Sequence, residues 1–173
     1  MVSDRLMETT EKEIVLDIPQ AEAQPIIALD ENATPTREQI GRLQAEMSKM
    51  PQATLDTHHY FANGMYAREV HRPAGTLIVG KVHKHEHLFV ITKGQIVVWT
   101  EGGMVRMTAP YVHVSKPGTK RVTLAEVDSS AMTIHRTDKT DLDEIEAEII
   151  EAEEVAMFDS NNVLKSLKLG DTL

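Results

Sequence analysis

Gly80-Lys81-Val82-His83-Lys84-His85-Glu86-His87-Leu88-Phe89-Val90-Ile91-Thr92-Lys93-Gly94 is the stretch whose reading decides the fold. In an extended strand, side chains alternate between faces. On that rule His83, His85 and His87 point one way, Phe89 and Ile91 continue that face, and Val82, Leu88 and Val90 take the other. Imidazoles running into apolar residues describe the wall of a pocket. Neutral imidazole is the commonest protein metal ligand and suits zinc, iron, nickel or copper. The competing reading is an exposed histidine-rich edge that binds nothing. Three alternating residues on a straight strand also span roughly 13 Å from first to last, at about 3.3 Å per residue. One ion with bonds near ~2 Å does not bridge that span without a bulge. Two histidines of the stretch plus one residue from elsewhere is therefore the more realistic ligand set.

Outward from this stretch, the chain between about residues 57 and 137 reads as short strands separated by turns. Asn63-Gly64 is a hairpin signal, Pro73-Ala74-Gly75 and Lys93-Gly94 are turns, and Glu101-Gly102-Gly103, Lys116-Pro117-Gly118 and Asp128-Ser129-Ser130 follow. Regular short strands with glycine and proline turns predict an all-β sandwich or barrel. Before it, Thr36 and Gln39 form a capping-box pattern, or Thr34 caps with Pro35 in the first turn. Ile40, Leu43, Met47 and Met50 continue at helical spacing until Pro51, predicting a short amphipathic helix over an open end or an edge strand. After the strands, Leu142, Ile145 and Ile149 mark the apolar stripe of a second, strongly acidic helix. The resulting division is an N-terminal arm over 1–35, a helix and linker over 36–56, the β domain over 57–137, and an acidic helix and tail over 138–173. Within the arm, Glu13-Ile14-Val15-Leu16-Asp17-Ile18 suggests a strand, and Ile26-Ile27-Ala28-Leu29 is a brief apolar patch. Val163, Leu164, Leu167 and Leu169 suggest a last docking helix.

Composition narrows the functions. The 173 residues carry a formal charge of -9, which disfavours a nucleic-acid partner because phosphate recognition needs a basic surface. Absence of cysteine rules out disulfides, thiolate metal sites and cysteine nucleophiles within the chain. No run approaches the roughly 18 apolar residues of a membrane span, and the opening residues lack a signal core. The expectation is a soluble, intracellular protein with no membrane partner. No Ser/His/Asp arrangement, phosphate loop or nucleotide fingerprint is present.

Two motifs on this β framework resemble the cupin family of small jelly rolls. In that family a first motif places His-x-His, then a glutamate, then a glycine after six residues. Here His83-x-His85 is followed by His87, six residues and Gly94, so His87 stands in the glutamate's place and Glu86 is one step out of register. The second motif is Pro-x-Gly-x-x-His. Here Lys116-Pro117-Gly118-Thr119-Lys120-Arg121 keeps the turn, but Arg121 stands where the last ligand, a histidine, belongs. Arginine stays protonated and is no ordinary ligand, whereas its planar fork suits carboxylate or phosphate. The resemblance implies a single jelly roll with a short N-terminal helix and an acidic C-terminal helix. It implies His83, His85 and His87 as metal ligands, His113, His135 and Glu86 as second-line candidates, and Arg121 as an anion-binding residue. The implied cofactor is one divalent transition metal (iron, manganese, nickel or zinc), with a metal-free pocket as the alternative. The catalytic residues are left open.

The segment from Pro73 to Arg121 further resembles cupin-domain proteins of tailed bacteriophages and prophages. That likeness implies a protein of the infected or lysogenic host cytoplasm, or a component of the virion. Two functions follow from different classes: a pocket for a metal and a small anionic ligand, or a non-catalytic assembly protein that contacts other phage structural proteins. A metal-free epimerase, with a histidine base and Arg121 holding phosphate or carboxylate, is a variant of the first. Homodimerisation is the default the resemblance carries.

Overall fold

The computed structural model describes residues 32–152, 158–160 and 163. The expected strand at 13–18, the apolar patch at 26–29 and the helix centred on 164–169 lie outside these residues. The described residues run from helix α1 (Arg37–Met47) through nine strands into helix α2 (Leu142–Ile149). The strands are β1 (Thr57–Ala62), β2 (Met65–Arg72), β3 (Leu77–Val79), β4 (His87–Lys93), β5 (Gln95–Thr100), β6 (Gly103–Thr108), β7 (Tyr111–Ser115), β8 (Val122–Ala125) and β9 (Ser129–Arg136).

Two antiparallel sheets result, ordered β1-β2-β9-β4-β7 and β3-β8-β5-β6. With β1 set aside as an extra edge, β2 through β9 switch sheets at every connection except the β5–β6 hairpin, which gives the two interlocked Greek keys of a jelly roll. The all-β sandwich with two short helices is thus as expected. The facing sheets bury Phe89, Ile91, Ile96, Val98, Met107 and Ala131 between them. In β4 the period of two is visible directly: His87, Phe89 and Ile91 are buried, and Leu88 is exposed. Strand β5 is buried on both faces, since Val97 and Trp99 pack outward against Ile40 of α1. Helix α1 therefore covers the outer face of the four-stranded sheet. Its capping box forms as expected, with the Thr36 side chain accepting from Gln39 and the Gln39 side chain accepting from the Thr36 N–H.

Two local readings are corrected. The helix ends at Met47, with Ser48 as its cap, so Met50 lies beyond it. More consequentially, Gly80 to Glu86 is not a continuous strand. Only an isolated bridge pairs His83 with Ile150, a bend follows at Lys84 and His85, and β4 begins at His87. The chain after α2 shapes this bend: the Lys84 N–H donates to the Ile149 carbonyl, and the Glu151 N–H donates to the Val82 carbonyl, at 2.8 and 2.9 Å. The Lys84 ammonium adds a hydrogen bond to the Ala147 carbonyl at 2.6 Å. Helix α2 buries Ile145 and Ile149 against Tyr66 of β2. The acidic C-terminal helix is thus tied to the segment that carries the first histidine.

Candidate metal centre

The bend separates the histidines that a straight strand would align. The expectation that His83, His85 and His87 share a face is corrected: His85 is exposed, while His83 and His87 lie ring to ring at 4.1 Å. The third member comes from β9. His135 stacks at 4.9 Å from His83 and 4.6 Å from His87. It reaches them because β9 lies between β2 and β4, opposite Tyr66 in register. One ring nitrogen from each of His83, His87 and His135 lies within 4.8 Å of the other two.

The hydrogen bonding of this group is unusual. His83 Nδ1, His87 Nε2 and His135 Nε2 are buried and have no partner. Buried polar atoms are nearly always hydrogen-bonded, so three orphans in one cluster call for an explanation. His87 Nδ1 sits 3.2 Å from the His85 carbonyl. A carbonyl only accepts, so Nδ1 carries the proton and Nε2 presents a lone pair. A ligand histidine commonly has this arrangement, its second nitrogen fixed by a carbonyl. Protonation of the group is opposed. Burial, then the charges of His87, His135, Arg121 and Arg68, brings the His83 pKa down to about 2. Burial, opposed by the His85 carbonyl, brings His87 to about 4. Burial and the neighbouring His87, His85, Arg121 and Arg68 bring His135 to about 3. Neutral imidazoles with free lone pairs are the form that coordinates a cation. These residues fit a divalent transition metal.

The remaining candidates fall around this group. Arg121 is buried beside it, hydrogen-bonded to Ser115 Oγ and stacked over Phe89 at 5.3 Å from the ring centroid. Gly80 makes room for it, because a Cβ there would come within 3.3 Å of Arg121 Cγ. His113 lies on edge strand β7 and is exposed; burial and Arg121 still lower its pKa. Glu86 points away, ion-paired to Lys116 at 2.5 Å. A second group, Asp56, His58 and His71, lies on the opposite margin of the large sheet. One ring nitrogen of each histidine is engaged, His58 Nε2 with Asp56 at 3.2 Å and His71 Nδ1 with Ser130 Oγ at 2.6 Å.

Two residues of the site had escaped the sequence reading. Arg68 and Arg72 line the same cavity as His83 and Arg121. A signal for them existed. With Tyr66 and Val70 as the buried positions of β2, a period of two puts Arg68 and Arg72 on the same inward face.

Fold and site together define a single-jelly-roll protein with a buried three-histidine centre beside a cationic cavity. No protein-family model and no curated protein sequence matches the chain. Solved structures that resemble it include several described as cupins. A cupin superfamily protein from Desulfitobacterium hafniense shares 9% identity over 51% of this chain and 83% of its own, with a TM-score of 0.44. KdgF from a Halomonas species shares 17% over 49% and 82%, with a TM-score of 0.42. Salicylate 1,2-dioxygenase from Pseudaminobacter salicylatoxidans shares 13% over 54% of this chain and 30% of its own, with a TM-score of 0.43. At these identities the likeness concerns the fold alone, and the jelly roll rests on its own strand order. No helix among the described residues is long and apolar enough to cross a membrane.

Proposed function

We propose that this protein binds one divalent transition metal through His83, His87 and His135, and takes a small anionic ligand beside it with the help of Arg121. The observation that carries this reading is the set of three buried, unpartnered ring nitrogens in one cluster, whose histidines each bring a ring nitrogen within 4.8 Å of the other two. A bound metal would supply Lewis-acid polarisation of a ligand oxygen or activation of a water. The chain's own residues do the rest. His85 orients His87 through its carbonyl, Ser115 and Phe89 seat the Arg121 guanidinium, and the bend at residues 83–86 closes the centre from the α2 side.

The test is calorimetric titration of chelator-stripped protein with zinc, manganese, iron(II) and nickel. One ion per chain is expected for at least one metal. His135→Ala and His87→Ala should each weaken binding by tenfold or more, while the His85→Ala variant retains it. Binding at 100 times Kd should also stabilise the fold by about 2.7 kcal/mol. Absence of binding for all four metals, or undiminished binding by His135→Ala, overturns the assignment.

A second reading, self-association, has its own support. The outer face of the five-stranded sheet exposes Leu88, Val112 and Val114, with Leu88 opposite Val114 in register. A contiguous apolar patch of this kind marks a contact surface, and a two-fold pair is the commonest solution. The wild-type chain is expected to run as a dimer in light scattering, and Val112→Glu with Val114→Glu as a monomer. A wild-type monomer at tens of micromolar removes this reading. Placement in a bacteriophage particle is its further step, tested by co-purification with virions.

A further inference from the structure

The cavity next to the histidine centre has an interior opposite to that of an ordinary sandwich. It offers about 240 Å³ and is partly open to solvent. Its wall includes Arg68, Arg72, Arg121 and Lys81 and, among the described residues, no aspartate or glutamate. Lys81 is neutralised by Glu146 at 2.6 Å. The three arginines have no ion pair among the described residues. The Glu146 carboxylate favours the charged form of Arg68, but its ion pair is with Lys81. Arg68 Nε and Arg72 Nε are buried without a hydrogen-bond partner. Arg72 donates to Thr123 Oγ1 at 2.9 Å, and Arg121 to Ser115, both neutral hydroxyls. Burial lowers the pKa of all three, and Arg72, which also feels Arg68 and Arg121, falls to about 10. They remain charged at neutral pH; Arg121 is buried and Arg68 and Arg72 are half-buried, and charges withdrawn from water are ordinarily paired.

The positions of these cations say how their counter-charge is distributed. Arg68 and Arg121 sit at the histidine end: Arg68 lies opposite Thr133, two residues from His135, and Arg121 donates to Ser115, which lies opposite His87. Arg72 lies four residues further along β2, roughly 13 Å away at the backbone, where it is fastened to Thr123 of the opposite sheet. A single compact phosphate meets one end of this array. Two carboxylates on a short apolar linker meet both, and the wall between them supplies Val70, Leu77 and Ala131 for that linker.

We propose that this cavity binds a small dicarboxylate, one carboxylate held by Arg121 and Arg68 beside the three histidines and the other by Arg72 with Thr123. This inference deepens the anionic-ligand part of the proposed function, but the arginines need no metal to act. The test therefore uses the metal-free full-length chain. Malonate, succinate and glutarate are titrated by calorimetry at matched ionic strength, with butyrate and inorganic phosphate as controls. At least one of the dicarboxylates is expected to bind tenfold or more tightly than both controls and to raise Tm. Arg72→Met should lose tenfold or more of that affinity, and Arg72→Lys should restore part of it. If Arg72→Met does not fold, the wild-type ligand series and Arg72→Lys decide. Dicarboxylates binding no better than butyrate, or phosphate matching them, overturn the proposal. Metal titration of the same sample then stands or falls independently.

Discussion

Taking the metal-free protein from pH 7 to pH 5 will remove several kcal/mol of its stability, read as a lower urea midpoint. His83, His87 and His135 have native pKa values of about 2, 4 and 3, all below the usual histidine value, with burial as the first cause in each. The sign follows from linkage. The unfolded chain takes up protons at these positions as pH falls through about 6.5, and the native chain does not, so stability rises with pH over this range. The contribution is complete above about 6.5 and erodes from there down to the native values between about 4 and 2. At pH 5 each fully buried histidine contributes a loss of roughly 2 kcal/mol, set by the unfolded pKa alone. Allowing for solvent screening where the rings are less buried, the three together amount to about 3–6 kcal/mol. That is a large part of the ~5–15 kcal/mol of a typical domain. The His83→Gln, His135→Gln double variant should flatten the dependence between pH 7 and 5. An unchanged slope in that variant would mean that other groups, such as the carboxylates, carry the acid sensitivity.

Gly94→Ala should be among the most destabilising single-methyl changes in this chain. Gly94 joins β4 to β5 with φ +75°. An L side chain costs about 1–2 kcal/mol in that conformation. A Cβ there would also collide with the Asp128 carbonyl and Ser129 Oγ. Ser129 is not free to move, since its hydroxyl and the Gln95 backbone are hydrogen-bonded at 3.0 Å, tying β9 to the start of β5. Backbone strain and overpacking together come to roughly 2–5 kcal/mol, a fall in Tm of about 10 °C for a domain of this size. Gly75→Ala is the internal control. Its φ is +80°, yet nothing lies within 4 Å of the added Cβ, so it carries the backbone cost alone. Equal melting shifts for the two variants would refute the close approach at Gly94.

The turn chemistry of this chain was readable because it is local. Asn63-Gly64 closes the β1–β2 hairpin with Gly64 at φ +74°, and the Pro117-Gly118 turn stands where expected with the same φ at Gly118. The capping box at Thr36 involves residues three apart and was equally plain. The alternation of His87, Phe89 and Ile91 needs only that β4 be a strand. His85 failed the same argument because the bend at residues 84–85 is held by Ile149 and Glu151, far along the chain. A period-of-two rule holds only inside the strand it assumes.

By itself the sequence determined the class of the fold, an all-β sandwich with two short helices, because strand alternation, turns and caps depend on neighbours in the chain. It also marked Arg121 as the residue that breaks the histidine pattern. Only the tertiary structure chose His135 over His85 as the neighbour of His83 and His87, and gathered Arg68, Arg72 and Arg121 around one cavity. The reason is physical. Which strand lies beside which is set by hydrogen bonding and core burial between distant segments, and a residue's chemistry depends on what that pairing brings to its face.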